Sequence, residues 1–415
     1  MADIMNSNDT RDDPILLAYS GGLDTSFCVP WLKETTGRPV VTVTVNTGGL
    51  DDEALTALDE RAVALGALRH VTVDAREAFF ETVLKYLIFG NVRRGNLYPL
   101  CVGSERVLQA QTLARTAARL GSSTVAHGCT AAGNDQVRFE VALRTIDPQL
   151  ESLAPVRDHS WQRESQLEFL AERGMPAPPG GGAYSINRGL WGTTIGGRET
   201  LDSTGSIPES AWVLTRDAFE DGGRAPGSHT VRFEAGVPVA LDGETRPPVA
   251  LIEAIEALAA SYGIGRGIHL GDTILGTKGR VAFEAPAAEV LLVAHRELEK
   301  LTLSAGQLRV KEQLSPIYGQ LVHEGQHLDP VCRDIEAFLN SSQERVTGKV
   351  SLLLRPGSLF VEGATSPCSL LAASKGTYGE SAGEWTAADA VGFSRILSLP
   401  GMLHTRAAPA QEDAS

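Results

Sequence analysis

A short apolar run followed by two glycines and a polar segment decides the fold: ILLAYSGGLDTS, residues 15–26. Ile15–Tyr19 predicts a buried strand, and Asp24–Lys33 predicts a helix. The two glycines let the backbone turn sharply and approach an anion closely. The helix start offers free N–H groups and a partial positive charge, so the stretch predicts an anion site about the size of pyrophosphate. Three hydroxyls add donors: Ser20, Thr25 and Ser26.

This loop differs from the mononucleotide P-loop, because GxxxxGK[ST] is absent and no lysine closes the turn. One alternative is a purely structural strand–helix turn in which Asp24 caps the helix. Asp24 could also cap the helix and help to hold Mg²⁺.

Strand and helix patterns continue to alternate after this loop. Alternation of this kind predicts an α/β fold with a doubly wound parallel sheet, in which ligands lie at the carboxyl ends of the strands. The predicted strands are Val40–Asn46, His70–Asp74 and Ser123–His127, and the predicted helices are Asp52–Leu65, Glu77–Phe89 and Ser104–Leu120.

The regular alternation fades after Leu150, and Pro176–Gly182 is a predicted loop. Two hairpins and one helix then predict an α+β domain: His229–Phe233 with Val237–Leu241, Lys349–Leu354 with Ser358–Val361, and Pro248–Ser261. We therefore expect a disordered N-terminus (1–14), a first domain around the anion site (15–172), a second domain of α+β type (173–380) and a C-terminal segment with a frayed tail (381–415).

Composition narrows the possible partners and the compartment. The 37 Lys and Arg against 51 Asp and Glu give a net charge of −14, which disfavours a nucleic-acid partner. The five cysteines form no CxxC pair, which argues against zinc and for a reducing compartment. The start of the chain lacks signal-peptide character, and no apolar run is long enough for a membrane helix. We expect a cytoplasmic protein.

A second motif, HGCTAAGNDQVRFE at residues 127–140, follows the last strand of the predicted sheet. Asn134 can donate and accept hydrogen bonds, Asp135 can hold an ammonium group, and Arg138 can grip a carboxylate with two parallel bonds. These groups could hold two amino acids face to face. The alternative is a solvated polar loop with a local Asp135–Arg138 ion pair.

The two motifs carry a resemblance. The SGGLDTS loop resembles that of the N-type ATP pyrophosphatases, and together with HGxTxxGNDQxRFE it resembles the argininosuccinate synthase family. The likeness continues through residues 342–350, 366–367 and 389–393, so it covers nearly the whole chain.

The resemblance implies that the first domain (15–172) is an adenine nucleotide alpha hydrolase-like, nucleotide-binding domain and that the second (173–380) is a synthetase and multimerisation domain. It also implies an AMP-forming ligase that uses ATP and Mg²⁺, citrulline and aspartate as substrates, and a homotetramer. It implies catalytic roles for Asp24, Asp135 and Arg138. The ATP contacts would be Ala18, Tyr19, Ser20, Gly21, Gly22, Leu23, Asp24, Thr25, Ser26, Gly128 and, against adenine, Val45. Aspartate would contact Thr130, Asn134 and Asp135. Citrulline would contact Tyr98, Asn134, Arg138, Ser185 and Thr194.

Three departures from the family pattern fall on the citrulline contacts. Gly103 stands where the family has a serine, so we expect Ser104 to take that contact. Gly271 stands where the family often has a glutamate, and Phe283 replaces a tyrosine. We expect the segment around Gly271 to be a loop that turns Asp272 inwards, with His269 as the alternative replacement.

Other functions stay open at this stage. A related AMP-forming ligase could join aspartate to a different ureido or carboxylate acceptor, and a catalytically silent nucleotide-binding paralogue would keep the same motifs. A tRNA-thiolating enzyme is disfavoured by the cysteines and the charge. His127 is a candidate general base, although a lone histidine at a strand end is more often structural.

Overall fold

The computed structural model describes residues 13–178 and 184–408. Most of the predicted disordered N-terminus (1–12), the second half of the predicted loop (179–182) and the end of the tail (409–415) lie outside the described residues. The chain divides into two compact units, one ending at Pro367 and one beginning at Cys368. The domain boundaries expected within the first unit stay predictions.

The first sheet is parallel and has five strands in the order β3-β2-β1-β4-β5. The side chains of the central strand β1 alternate between two separate apolar clusters, so helices cover both faces, as the alternating pattern predicted. Its strands are β1 Ile15–Ala18, β2 Val40–Asn46, β3 Arg69–Asp74, β4 Thr124–Ala126 and β5 Glu151–Leu153. The helices of this region are α1 Leu23–Thr36, α2 Asp52–Ala64, α3 Arg76–Phe79, α4 Lys85–Phe89, α5 Arg106–Leu120, α6 Asn134–Ile146, α7 Pro155–Asp158 and α8 Arg163–Glu172.

Two predicted helices have irregular turns that periodicity did not show. A π-helical turn, Phe80–Leu84, separates α3 from α4 within the predicted helix Glu77–Phe89. A 3₁₀ turn, Gly103–Glu105, precedes α5, so Ser104 lies in a tighter turn than predicted.

The rest of the first unit holds two antiparallel sheets, with strand orders β10-β9-β8-β13-β14 and β11-β12-β7-β6. Both predicted hairpins are confirmed, as β8–β9 and β13–β14. The strands are β6 Tyr184–Gly189, β7 Gly192–Gly197, β8 Gly227–Glu234, β9 Val237–Leu241, β10 Glu244–Thr245, β11 Arg266–Asp272, β12 Lys278–Glu284, β13 Gly348–Arg355 and β14 Ser358–Thr365. The helices are α9 Pro248–Ala260, α10 Pro286–Thr302, α11 Ala305–His323 and α12 Pro330–Gln343.

A buried carboxylate fixes the four-stranded sheet to the segment beside it. Glu284, at the end of β12, is fully buried and accepts hydrogen bonds from the backbone N–H groups of Val213 (2.7 Å) and Thr215 (2.8 Å) and from the Thr215 hydroxyl. A buried charge with this many donors is compensated. These hydrogen bonds anchor the end of β12, in the sheet that carries part of the candidate site.

The second unit contains α13 Leu370–Ala373 and α14 Ala387–Arg406. Thr386 and Asp389 form a capping box at the start of α14. Among the helices of the described ranges, none is long and apolar enough to cross a membrane.

Candidate active site

The phosphate loop ends at a helix N-terminus without a side-chain cap. Gly22 is the N-cap of α1, with φ −73° and ψ 174°, and Asp24 lies in the first turn. The alternative in which Asp24 caps the helix is therefore wrong. One Asp24 oxygen instead accepts from Gln166 Nε2 at 2.9 Å. The first N–H groups of α1 receive no side-chain cap, which is the arrangement that anion-binding helix starts share.

The two loop glycines have different tasks. Gly21 has φ +72°, and a Cβ there would lie 2.2 Å from Leu58 Cδ2, so only glycine fits. A Cβ on Gly22 would meet only Ser20 Oγ, at 3.6 Å. The space outside Gly22 is open, and this openness fits a bound phosphate.

The remaining predicted ATP contacts surround this turn. Ser20 Oγ lies 3.2 Å from Thr25 Oγ1, and the Ser26 hydroxyl donates to the Gly21 carbonyl. Ala18 ends β1, Tyr19 and Leu23 are buried, and Val45 is half-buried near the end of the neighbouring strand β2.

The second motif connects the phosphate loop to a cavity. A Cβ on Gly128 would lie 3.0 Å from the Thr25 backbone nitrogen, so glycine lets this loop pass close to the start of α1. The exposed residue Thr130 accepts a backbone hydrogen bond from Gly133, which is the N-cap of α6. Helix α6 then begins with Asn134 and Asp135, and both line the cavity.

The cavity has a volume of about 300 Å³ and lies among α6, the residue 94–103 segment and the four-stranded sheet. It brings together six of the predicted substrate contacts from four separate segments of the chain. These are Tyr98, Asn134, Asp135, Arg138, Thr194 and Asp272.

Asp135 carries two ion pairs. Its oxygens lie 3.0 Å from Arg106 Nε and 2.7 Å from Arg138 Nη1. Burial alone would raise the pKa of Asp135, but the two guanidinium groups outweigh it and lower that pKa to about 2. Asp135 is therefore ionised, and 35% of its side-chain surface stays exposed. Asp135 therefore forms the local ion pair with Arg138 that the sequence left open, and it also lines the cavity.

Arg138 occupies the space that a side chain at position 103 would need. A Cβ on Gly103 would lie 3.0 Å from Arg138 Nη2. Ser104 does not take over the lost contact: it is buried, and its hydroxyl donates to the Cys101 carbonyl at 3.2 Å. The expectation for Ser104 is corrected, because the 3₁₀ turn points its hydroxyl back to the backbone.

An aromatic stack forms another wall. The Tyr98 ring lies 5.5 Å from the His269 ring at an interplanar angle of 17°, and 5.2 Å from Phe283. Thr194 on β7 pairs with Asn187 on β6, and both line the cavity. Ser185 is exposed two residues before Asn187 and is not among the described residues of the cavity wall.

The loop expected around Gly271 is wrong, because Arg266–Asp272 is the continuous strand β11. Side chains alternate along a strand, so Asp272 lies on the face opposite to His269. The Asp272 carboxylate is 62% exposed and forms an ion pair with Lys278. Asp272 borders the cavity, where its backbone carbonyl accepts a hydrogen bond from Arg94, but its carboxylate pairs with Lys278 on the exposed face. His269 is the side chain that packs on Tyr98.

Sequence reasoning missed several polar residues of the cavity. Arg94 and His323 contact each other through Arg94 Nη1 and His323 Nε2, although they lie 229 residues apart. No local motif links such positions. The other missed wall residues that carry a charged or amide side chain are Arg106, Asn187 and Arg280.

His127, the candidate base, is buried and stacks on Phe139 at 5.5 Å between ring centroids. Its Nδ1 accepts from the Cys129 backbone nitrogen, and Glu140 lies 3.6 Å from Nε2. His127 is not among the described residues that line the cavity. These contacts give it a structural part in holding the loop.

Comparison with known proteins agrees with this geometry. Residues 14–176 match the Arginosuccinate synthase N-terminal HUP domain, and residues 184–404 match the Arginosuccinate synthase C-terminal domain. The argininosuccinate synthase of Xanthomonas campestris pv. campestris is 39% identical over 398 residues, which cover 94% of this chain and 98% of the relative. Those of Methanocaldococcus jannaschii (39% over 355 residues, 86% and 89%) and Dehalococcoides mccartyi (37% over 404 residues, 97% and 98%) are similar. The chain belongs to the argininosuccinate synthase family.

Proposed function

We propose that this chain is an argininosuccinate synthase, which joins citrulline to aspartate and converts ATP to AMP and pyrophosphate. One observation carries the proposal. The loop that begins at Gly128 packs against Thr25 of the phosphate loop and ends at Asn134 and Asp135 in the cavity. The nucleotide end and the amino-acid end are thus built on one short segment. The full-length relatives named argininosuccinate synthase support the same reaction.

The reaction proceeds in two steps. The ureido oxygen of citrulline attacks the α-phosphorus of ATP, and pyrophosphate leaves into the Ser20–Ser26 loop. The aspartate amine then attacks the activated carbon, and AMP departs with the former ureido oxygen. Catalysis consists of positioning and charge stabilisation, without a covalent enzyme intermediate.

The predicted substrate contacts, most of which line the cavity, have separate roles in this scheme. Asp135, with Thr130 and Asn134, orients the aspartate. Arg138 binds the citrulline carboxylate, while Tyr98, Thr194 and Ser185 border the rest of that molecule. Mg²⁺, when bound with ATP near Asp24, offsets phosphate charge.

The assembly is a cytoplasmic homotetramer in this proposal. Helix α14 exposes the apolar side chains of Phe393 (65%), Ile396 (69%) and Leu403 (60%), as expected for a helix that docks on another subunit. Cys28, Cys101, Cys129 and Cys332 form no disulfide in the described structure, which fits a reducing compartment. Light scattering after size-exclusion chromatography tests the tetramer, and a monomer would contradict it.

AMP release in the presence of Mg-ATP tests the activity. AMP should form only when citrulline and aspartate are both present. A silent nucleotide-binding paralogue would release no AMP under any combination of substrates.

A further inference from the structure

The acceptor end of the cavity is rich in cations. The His323 ring lies between two guanidinium groups, with Nδ1 3.1 Å from Arg138 Nη2 and Nε2 in contact with Arg94 Nη1. Burial and these two arginines lower the pKa of His323 to about 3, so the ring is neutral. Burial and the charge of Arg138 also lower the pKa of Arg94. Positive charge is therefore crowded here.

The carboxylates of the cavity wall do not balance this charge. Asp135 is shared between Arg106 and Arg138, and Asp272 pairs with Lys278 on an exposed face. Arg280 donates to the carbonyls of Glu199, Asp202 and Gly205. The described cavity wall thus includes four arginines and two aspartates, and the carboxylates of both aspartates are already paired.

His269 adds a buried nitrogen without a hydrogen-bond partner to the acceptor end of the cavity. The residue is 8% exposed, and its Nε2 has no hydrogen-bond partner among the described residues. A Cβ on Gly271, another cavity residue, would lie 2.5 Å from that nitrogen. The imidazole therefore occupies the space in which a side chain at position 271 would begin.

These charges decide which substituents an acceptor can carry. The ammonium group of an acceptor would find cations at this end of the wall and no carboxylate of its own, because Asp135 is assigned to aspartate and Asp272 pairs with Lys278. An unpaired buried charge is costly. A ligand carboxylate would find the guanidinium groups of Arg94 and Arg138. We propose that the acceptor subsite binds ureido acids through their carboxylate and makes no use of an α-ammonium group, so that 5-ureidopentanoate is an acceptor as well as citrulline. This inference rests on the proposed function.

The chemistry with 5-ureidopentanoate balances in the same way as with citrulline. Its ureido oxygen forms a bond to the α-phosphorus as the bond to the β-phosphate oxygen breaks. The aspartate amine then forms a bond to the ureido carbon, loses a proton to solvent, and AMP leaves with the oxygen. The product is an N-substituted guanidino acid without an α-amino group.

Initial rates of AMP release with aspartate and Mg-ATP test the inference for the two acceptors. With 5-ureidopentanoate as the acceptor, kcat/KM should lie within about fivefold of the citrulline value or above it, since the lost ammonium makes no favourable contact. A value more than about 100-fold lower overturns the inference, because that difference corresponds to a specific charged contact. If neither acceptor is turned over, the proposed function fails, and calorimetric Kd values for the two compounds then decide the inference by the same ratios.

A designed carboxylate gives a second test. Gly271→Glu fits only after the imidazole is removed, so it is combined with His269→Ala. The double variant should favour citrulline over 5-ureidopentanoate by at least about tenfold more than His269→Ala alone, because a charged hydrogen bond is gained. The matched control is His269→Ala with Leu270→Glu, where the new carboxylate lies on the exposed opposite face of β11. Equal selectivity in the double variant and the control contradicts the inference.

Discussion

Arg138 Nη1 lies 2.7 Å from Asp135 Oδ1, one turn apart on α6, at the wall of the cavity. The proposed function assigns these neighbours to different substrates: Asp135 to aspartate and Arg138 to citrulline. The ion pair fixes the two side chains relative to each other, so under the proposed function a single helix turn would orient the two amino acids.

Asp135→Asn should lower kcat/KM for aspartate by about 10- to 150-fold, because a charged hydrogen bond of roughly 1.5–3 kcal/mol is lost. Steady-state kinetics with each substrate varied in turn measures this. Asp147→Asn, at the other end of α6, is the control and should behave as wild type. A variant in which only the citrulline response changed would reverse the assignment of the two substrates.

Gly22→Val should abolish turnover and keep the fold. The new side chain would occupy the phosphate position, whereas within the protein its Cβ meets only Ser20 Oγ. Activity and the circular dichroism spectrum are the measurements. Gly205→Val is the control, since nothing lies within 4 Å of a Cβ there. Near-normal activity of Gly22→Val would mean that ATP binds elsewhere.

Asp272 and His269 should differ in their effect on the acceptor. Asp272→Asn should leave the KM for citrulline within about twofold, because an exposed ion pair contributes little. His269→Ala should raise that KM at least about tenfold, because the Tyr98 ring loses its stacking partner and the unpaired Nε2 of His269 is no longer available to citrulline. The opposite ranking of the two variants would restore Asp272 as the acceptor-binding residue.

Glu105 gives the free energy of unfolding a pH dependence. It is buried and accepts from Thr47 and Gln109, and burial raises its pKa from 4.5 to about 7. The folded state therefore binds the proton more tightly than the unfolded state, and stability falls as pH rises from about 4.5 to about 7.

Glu105→Gln removes this loss, so the variant should be more stable than wild type at pH 8, by up to about 3 kcal/mol. The gain should shrink at pH 5. Thermal midpoints at the two pH values measure it, and Glu344→Gln, at an exposed position, is the control. A gain that is the same at pH 5 and pH 8 would argue against a protonated Glu105.

The sequence predicts the local features of this fold well. Strands β1 and β2 follow from buried apolar runs, and the two hairpins follow from Gly-containing turns between β-rich segments. The order of the antiparallel sheets does not follow, because β7 pairs with β12 across about ninety residues and no local signal links the two strands. Long-range pairing depends on packing rather than on spacing.

The residues of the candidate site also fall into those that a local motif predicts and those that it does not. Asn134, Asp135 and Arg138 share one motif and were found from it. Arg94 and His323 reach the cavity from distant segments, and no spacing rule connects them. The error at Asp272 has a specific cause: Gly271 suggested a turn, whereas glycine is needed in the strand because His269 fills the space of its Cβ.

Phosphorus NMR of a turnover mixture with citrulline labelled by ¹⁸O in the ureido group follows the ureido oxygen through the proposed reaction. The mixture contains Mg-ATP and aspartate. We expect AMP and pyrophosphate as the only phosphorus products, with the ¹⁸O label in the phosphate of AMP, because the ureido oxygen attacks the α-phosphorus. ADP and inorganic phosphate, or AMP without the label, would contradict the account.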